Sequence, residues 1–203
     1  MRQMFKRVSI LFLLLFLFTV PVFSAIKSGV EYQIPIEYKN LNRAELEGKA
    51  EFYYDLAIKN KHGEVDDNMT SALNLYTILS NQNPEDPKYT VKLGKLYEIA
   101  RKDRYSKGNY YRAISINNKK PEAYFDLGEY FYNHEQYRKA LKMYLLAYKN
   151  GYSNHYQTLY KLGDTYQKLG DINKALEYLR TASRIEPSEK IEQKITILEQ
   201  YKK

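Results

Sequence analysis

Small and aromatic side chains recur along residues 87–189 with a period of 34 or 35 residues. Each period contains a Leu-Gly pair, ending at Gly94, Gly128 and Gly163, and an aromatic residue follows each glycine three positions later. A small residue stands twelve positions after each glycine, and an alanine stands nineteen positions after it. Self-similarity at a fixed period of this length is typical of repeat architectures. We interpret each period as two helices joined by a short turn.

The last period shows the boundaries of its two helices most clearly. A first helix is predicted over 156–169, and a second over 172–185, which ends before Pro187. Asp86 and Pro121 mark the starts of two earlier periods. Asp caps a helix N-terminus, and Pro is tolerated in the first turn because its missing N–H would have no partner there.

The three glycines predict a close approach between the two helices of each period. A glycine in a helix interior costs about 1 kcal/mol relative to alanine, so it is a poor choice unless another group lies close. We expect each first helix to approach its second helix at these positions, with the aromatic residues filling the space between successive pairs. The expected contact positions on the second helices are Ser106, Ala140 and Ala175.

This pattern resembles the tetratricopeptide repeat, a helix–turn–helix unit of 34 residues with Leu-Gly, aromatic, Ala and Pro residues at set offsets. The match is nearly complete over 156–189 and good over 121–155, where Tyr152 stands in place of the usual Pro. It is looser over 87–120. A degenerate unit occupies 43–86, with a first helix over 44–59 and about six extra residues before the second.

The resemblance implies an all-α fold: a helix–turn–helix solenoid over 41–203 with about four repeats. The polar last segment, 189–203, carries three apolar residues at helical spacing and is expected to form the capping helix that an open solenoid end requires. Residues 25–40 are expected to be an extended lead-in, because Pro35 argues against a central strand.

The N-terminus has the order of a secretory signal peptide. Basic residues at 2, 6 and 7 precede an apolar run over 8–23, and the small residues Ser24 and Ala25 follow. We predict a signal peptide over 1–24, cut before Ala25. An uncleaved anchor is the alternative, although the run is shorter than the ~20 residues that span a bilayer. Either way, the rest of the chain is expected outside the cytoplasm, in the periplasm or envelope of a bacterium.

Composition excludes several kinds of chemistry. The chain has no Cys, which excludes disulfides, thiolate metal sites and a Cys nucleophile. Its three His residues lie far apart in sequence, so we expect neither a metal nor another cofactor. No catalytic constellation is recognisable, and the protein is not expected to be an enzyme. The net charge of +8 includes three bases before the apolar run, and nucleic acid is not an expected partner of an exported chain.

The resemblance also implies a concave surface, lined by the first helices, that binds a protein or peptide. We expect this surface to lean acidic, with Glu129 and Asp164 exposed side by side, which suits a peptide with apolar anchors and Lys or Arg. The alternative that Phe125 and Tyr160 only pack between repeats stays open. The candidate partner-binding residues are Lys95, Glu98, Phe125, Glu129, Tyr132, Tyr160, Asp164 and Gln167.

These features favour a non-catalytic interaction scaffold of the bacterial cell envelope. The alternative is a membrane- or wall-associated structural protein that contacts anionic lipid or polymer through a basic stretch over 101–120. Nothing in the sequence indicates an oligomeric state. The bases of that stretch are Arg101, Lys102, Arg104, Lys107, Arg112, Lys119 and Lys120.

Overall fold

The computed structural model describes residues 35–59 and 65–201, and the chain divides into two units, Met1–Asn42 and Arg43–Lys203. The predicted signal peptide lies outside the described residues, as do residues 25–34 of the predicted lead-in. Where the end of the lead-in is predicted to be extended, Ile36–Tyr38 instead forms a 3-10 turn. The fixed φ of Pro35 favours this turn, and its carbonyl accepts a hydrogen bond from the Tyr38 N–H at 2.9 Å.

The described residues of the second unit form helices joined by short turns, with no strand among them, which confirms the predicted all-α solenoid. The first helix of each repeat packs against the second, and each second helix packs against the helix that follows it in the chain. Within the described part of the chain, no helix is long and apolar enough to span a membrane. The helices are α1 Arg43–Lys59, α2 Asp67–Gln82, α3 Pro87–Ile99, α4 Asp103–Ile116, α5 Pro121–Asn133, α6 Tyr137–Ala147, α7 Tyr156–Lys168, α8 Ile172–Ile185 and α9 Glu189–Gln200.

The predicted helix starts are confirmed at α3 and α5. The carboxylate of Asp86 accepts a hydrogen bond from the Lys88 N–H at 3.1 Å, and Pro87 and Pro121 occupy the first positions of their helices. At α2, the Asp66 carboxylate accepts from the Met69 N–H at 2.7 Å. The extra residues predicted between α1 and α2, around 61–64, lie outside the described residues.

The turns inside the last three repeats share one left-handed residue. Arg101, Glu135 and Gly170 occupy equivalent positions and have φ values of 53°, 57° and 83°. In each turn, the N–H of the following residue reaches back to the carbonyl of the aromatic residue that stands three positions after the repeat glycine, as in a Schellman motif. These closing bonds are Lys102 to Tyr97 at 2.8 Å, Gln136 to Phe131 at 2.9 Å and Asp171 to Tyr166 at 3.0 Å.

A π-helical turn accommodates the extra residue of the 35-residue period. It spans Tyr148–Tyr152, directly after α6, and Gly151 within it has a φ of 129°. The third repeat has one residue more than the second between its last conserved alanine, Ala147, and the start of the next helix at Tyr156. The non-helical φ of Gly151 ends the helix here, and the additional residue is taken up by this turn before α7 begins at Tyr156. The period therefore lengthens here while the register of α7 is kept.

The repeat glycines meet side chains one helical turn beyond the expected positions. A Cβ at Gly128 would lie 2.6 Å from the Tyr144 ring, and one at Gly94 would lie 2.8 Å from the Tyr110 ring. The atoms nearest to these two glycines therefore belong to tyrosine rings and not to the expected Ser106 and Ala140. A Cβ at Gly163 would lie 2.6 Å from the Leu179 side chain and 3.1 Å from the carbonyl oxygen of Ala175. The expected contact with Ala175 is therefore present in this repeat, next to a leucine.

The capping helix is confirmed as α9, Glu189–Gln200. Its apolar residues Ile191, Ile195 and Leu198 are buried and belong to one cluster with buried residues of α7 and α8. The apolar face of α8 is therefore covered, and the opposite side of α9 exposes polar side chains together with Ile197.

Candidate partner-binding surface

A groove of about 460 Å³ lies among the first helices α1, α3 and α5. We call it the central groove. Four of the eight predicted site residues line it together: Lys95, Glu98, Phe125 and Glu129. The groove also includes the rings of Tyr54 and Tyr110, the side chains of Ile99 and Asn133, and the carboxylate of Asp126.

Asp126 is a groove residue that the sequence analysis missed. Its side chain is only 9% exposed, and its Oδ1 lies 2.7 Å from Nζ of Lys95 on α3. Burial raises the pKa of Asp126, and the Lys95 ammonium opposes that shift. Its position one helical turn before Glu129 is a signal that could have placed it on the same face of α5.

The carboxylates of Glu98 and Glu129 are both hydrogen-bonded to a tyrosine of the second helix in their own repeat. Glu98 accepts from the Tyr110 hydroxyl at 3.0 Å, and Glu129 accepts from the Tyr144 hydroxyl. The tyrosines that cover Gly94 and Gly128 therefore also orient one acid each at the edge of the groove. Glu129 forms an ion pair as well, with Nζ of Lys161 on α7 at 2.7 Å.

Three other predicted site residues meet beyond the central groove, between α5, α7 and α9. The Tyr132 hydroxyl donates to Asp164, and Lys194 of α9 forms an ion pair with the same carboxylate. Burial acts to raise the pKa of Asp164, but the hydrogen bonds from Lys194 and Tyr132 outweigh it, and the pKa is lowered. Nζ of Lys194 also lies 5.6 Å from the centroid of the Tyr160 ring.

The expectation that Glu129 and Asp164 are exposed is wrong. Their side chains are 27% and 13% exposed, because a lysine from the following helix layer covers each of them. An equivalent ion pair occurs in the first repeat, where Lys92 of α3 lies 2.8 Å from Glu51 of α1, although Glu51 itself stays exposed. These lysines were absent from the predicted surface, and they neutralise acids that had been counted as free. The surface is therefore less acidic than expected.

Phe125 is packed among other rings and is half-buried. Its centroid lies 5.7 Å from that of Tyr144, 6.2 Å from that of Tyr152 and 5.6 Å from that of His155. Phe125 therefore does pack between repeats, as the alternative interpretation holds, and it also lines the groove. Tyr160 is likewise half-buried and stacks on Tyr156 at 6.1 Å.

Gln167 lies near the end of α7, is half-buried, and is not among the residues that line the central groove. The predicted set thus divides into four groove residues, three residues near α9, and Gln167. Among the described residues, no group of three His, Asp or Glu side chains is arranged to hold a metal ion.

The basic stretch lies at the turn between α3 and α4 and along α4. Arg101, Lys102 and Arg104 are exposed there, and Tyr111 is exposed further along α4. The same sign of charge continues on α6, which carries Arg138, Lys139 and Lys142 and no acid. Within the third repeat, α6 is therefore basic whereas α5 is acidic.

The chain resembles known repeat proteins in sequence. A family model of the tetratricopeptide repeat matches residues 156–189. The TPR repeat-containing protein MJ1428 of Methanocaldococcus jannaschii is 27% identical over 168 residues, which are 83% of this chain and 28% of that protein. The chain thus spans less than a third of the length of this relative.

Solved structures show the same fold. PilF of Pseudomonas aeruginosa superposes with a TM-score of 0.62 at 14% identity, over 75% of this chain and 68% of that chain. MamA of Desulfovibrio magneticus superposes with a TM-score of 0.59 at 16% identity, over 76% of this chain and 85% of that chain. At these identities the likeness establishes the helix–turn–helix solenoid.

Proposed function

Because this chain is a tetratricopeptide-repeat protein, we propose that it binds a protein or peptide partner in the central groove and acts as a scaffold without catalysis. Tetratricopeptide-repeat proteins generally mediate protein–protein interactions and are typically non-catalytic. The observation that carries the proposal is the groove itself, where aromatic rings and carboxylates of successive repeats face one open space. Aromatic anchors in a partly desolvated groove supply most of the affinity at such surfaces, and charges set orientation and association rate.

We place this scaffold in the bacterial cell envelope, most simply the periplasm. The support is the order of basic, apolar and small residues over 1–25, which is that of a secretory signal peptide. An N-terminal membrane anchor would put the repeats in the same compartment.

Site-specific photocrosslinking in the native envelope tests the proposed groove. A photoreactive phenylalanine analogue at Asn133, which lines the groove and is exposed, is expected to capture a partner. The control places the analogue at Tyr111, which is exposed on α4 and outside the groove lining. Crosslinking from Tyr111 but not from Asn133 would show that the partner binds elsewhere.

A membrane- or wall-associated role is the second candidate, favoured by the exposed bases at the α3–α4 turn and by those of α6. Such contact depends on exposed charge and is screened by salt, whereas an apolar groove contact persists. Washing envelope fractions with high salt before irradiation separates the two candidates: release of the protein favours the basic surface, and a crosslink from Asn133 that still forms after the wash favours the groove.

A further inference from the structure

The ion pair between Lys95 and Asp126 joins two groups with very different exposure. The Asp126 side chain is 9% exposed, whereas that of Lys95 is 40% exposed. A buried carboxylate needs a cation or several hydrogen bonds, because desolvation of its charge is costly. Lys95 supplies that cation from the open side of the groove, and its ammonium can return to water without disturbing the helices.

The surroundings of this pair hold more negative than positive charge. Glu98 and Glu129 line the same groove as Asp126, and both act to raise the pKa of Asp126. The charge of Glu129 is paired with Lys161, whose Nζ lies 2.7 Å from Oε2 of Glu129. The hydrogen bonds to Glu98 come from two neutral groups, the Tyr110 hydroxyl at 3.0 Å and the Asn133 amide at 3.1 Å. The groove can therefore accept a further cation beside Glu98.

Aromatic rings in the groove fit a flat cation better than a compact one. Phe125 and Tyr54 line the same space as Asp126, and the Tyr54 ring, which is buried, already has Nζ of Lys92 3.9 Å from its centroid. A guanidinium group is planar, stacks on aromatic rings and donates two parallel hydrogen bonds to one carboxylate. A lysine ammonium offers a point charge and no such fork.

We propose that the central groove binds one arginine side chain of a partner peptide, with its guanidinium replacing Lys95 as the cation on Asp126 and lying beside Glu98. Lys95 then acts as an internal placeholder that keeps the buried carboxylate paired while the groove is empty. This proposal rests on the proposed function, since it specifies what the groove recognises in its peptide.

A peptide titration followed by nuclear magnetic resonance tests the arginine site. The probe is acetyl-Phe-Arg-Leu-amide, and its control is the same peptide with citrulline, a neutral isostere of arginine. We expect the citrulline peptide to bind at least tenfold more weakly. Asp126→Asn should weaken the arginine peptide at least tenfold and leave the citrulline peptide unchanged. Glu122→Gln, which removes an exposed acid of the same helix, should change neither.

A second experiment needs no peptide and uses chemical rescue. Lys95→Met keeps the aliphatic stem but leaves Asp126 without its cation, so the variant should melt at a lower temperature than the wild type. Millimolar methylguanidinium should restore part of the lost melting temperature, and neutral N-methylurea should not. The double variant Lys95→Met, Asp126→Asn should not respond to either compound. Lys95→Met should also bind the arginine peptide several-fold more tightly than the wild type, because the internal competitor is gone.

The outcomes distinguish this proposal from the one on which it rests. Equal binding of the arginine and citrulline peptides, with resonance shifts in the groove, would overturn the arginine site and leave a peptide-binding groove. Equal binding of a lysine peptide would overturn the preference for guanidinium. If neither peptide binds and methylguanidinium does not rescue Lys95→Met, the ion pair is a structural brace and the arginine site is wrong. Crosslinking from Asn133 then still decides whether the groove binds a partner.

Discussion

The ring of Tyr144 lies directly over Gly128, where an added Cβ would be 2.6 Å from its Cε1 atom. The ring is fully buried, and its hydroxyl donates to Glu129 on the same helix as the glycine. One glycine therefore allows a tyrosine of α6 to cross α5 and orient an acid at the groove. Packing of the helix pair and geometry of the site depend on the same contact.

We predict that Gly128→Ala destabilises the protein although alanine is the better helix former. The Tyr144 ring has little room to move, and overpacking of this kind costs roughly 1–3 kcal/mol. Gly108→Ala in α4 is the matched control, because a Cβ there has nothing within 4 Å and should stabilise by up to about 1 kcal/mol. Urea denaturation of both variants measures the difference. Equal stabilisation by both substitutions would show that the ring does not cover Gly128.

A second prediction concerns the left-handed turns. Arg101 and Glu135 have positive φ values, which cost an L-residue roughly 1–2 kcal/mol, partly offset by the greater freedom of glycine in the unfolded chain. Arg101→Gly and Glu135→Gly should each raise the free energy of unfolding by a few tenths to about 1 kcal/mol. Gly170→Ala, at the equivalent turn, should lower it. Thermal melts of the three variants test the sign, and stabilisation by Gly170→Ala would contradict the shared conformation.

The periodic part of the fold was predictable because each repeat is specified by residues close together in sequence. The helix starts at Pro87 and Pro121 and the second helix over 172–185 follow from capping and turn chemistry. The turns at Arg101 and Glu135 carry no such signal, since only Gly170 has the residue type that a left-handed conformation favours. Their conformation is imposed by the packing of the two helices.

The candidate site was predictable only in part, because ion pairs between repeats depend on how adjacent helices are placed. Lys92, Lys161 and Lys194 each reach an acid 30 to 41 residues away in sequence. The sequence pattern within one repeat does not show which side chain of another repeat it will contact. Asp126 could have been found, since it follows Phe125 and lies one turn before Glu129 on the same helix.

The two buried aspartates should have opposite effects on stability as pH changes. The pKa of Asp164 is lowered in the folded protein, so its contribution is present above the unfolded value of about 3.9 and is lost as pH falls below it. The pKa of Asp126 is raised, so the folded state binds the proton more tightly, and stability falls as pH rises above about 3.9.

Urea denaturation across the acid range measures both effects. In Asp164→Asn, the free energy of unfolding should fall less steeply than in the wild type as pH drops below about 4. In Asp126→Asn, it should fall less steeply as pH rises above about 4. Glu122→Gln on the exposed side of α5 serves as the control. Identical pH profiles for the two aspartate variants would contradict the assigned environments.

A fourth prediction concerns processing of the N-terminus. Exported protein should begin at Ala25, because Val22 and Ser24 provide the small side chains that a signal peptidase site needs. Intact-mass measurement of the protein from the envelope tests this. A chain that retains Met1 and stays in the membrane fraction would instead support the anchor alternative.

The last prediction concerns recognition of the partner through the first helices. Reversing Glu129 and Asp164 together should lower stability as well as binding, because each new lysine would face Lys161 or Lys194. Glu98→Gln is a more specific test, because it should change the charge of the groove with little effect on stability. The amide oxygen can keep the bond from Asn133 and the amide nitrogen can donate to the Tyr110 hydroxyl, so the fold should be kept while one negative charge leaves the groove.

We expect Glu98→Gln to weaken the captured partner by about 1 kcal/mol or more, as for loss of a hydrogen bond to a charged group, without a change in helical circular dichroism. The comparison variant reverses Arg101, Lys102 and Arg104, which lie outside the groove. Affinity is measured by calorimetry with the partner that crosslinks from Asn133. If the basic-stretch variant loses binding and Glu98→Gln retains it in full, the partner binds on the α3–α4 turn and the groove assignment is wrong.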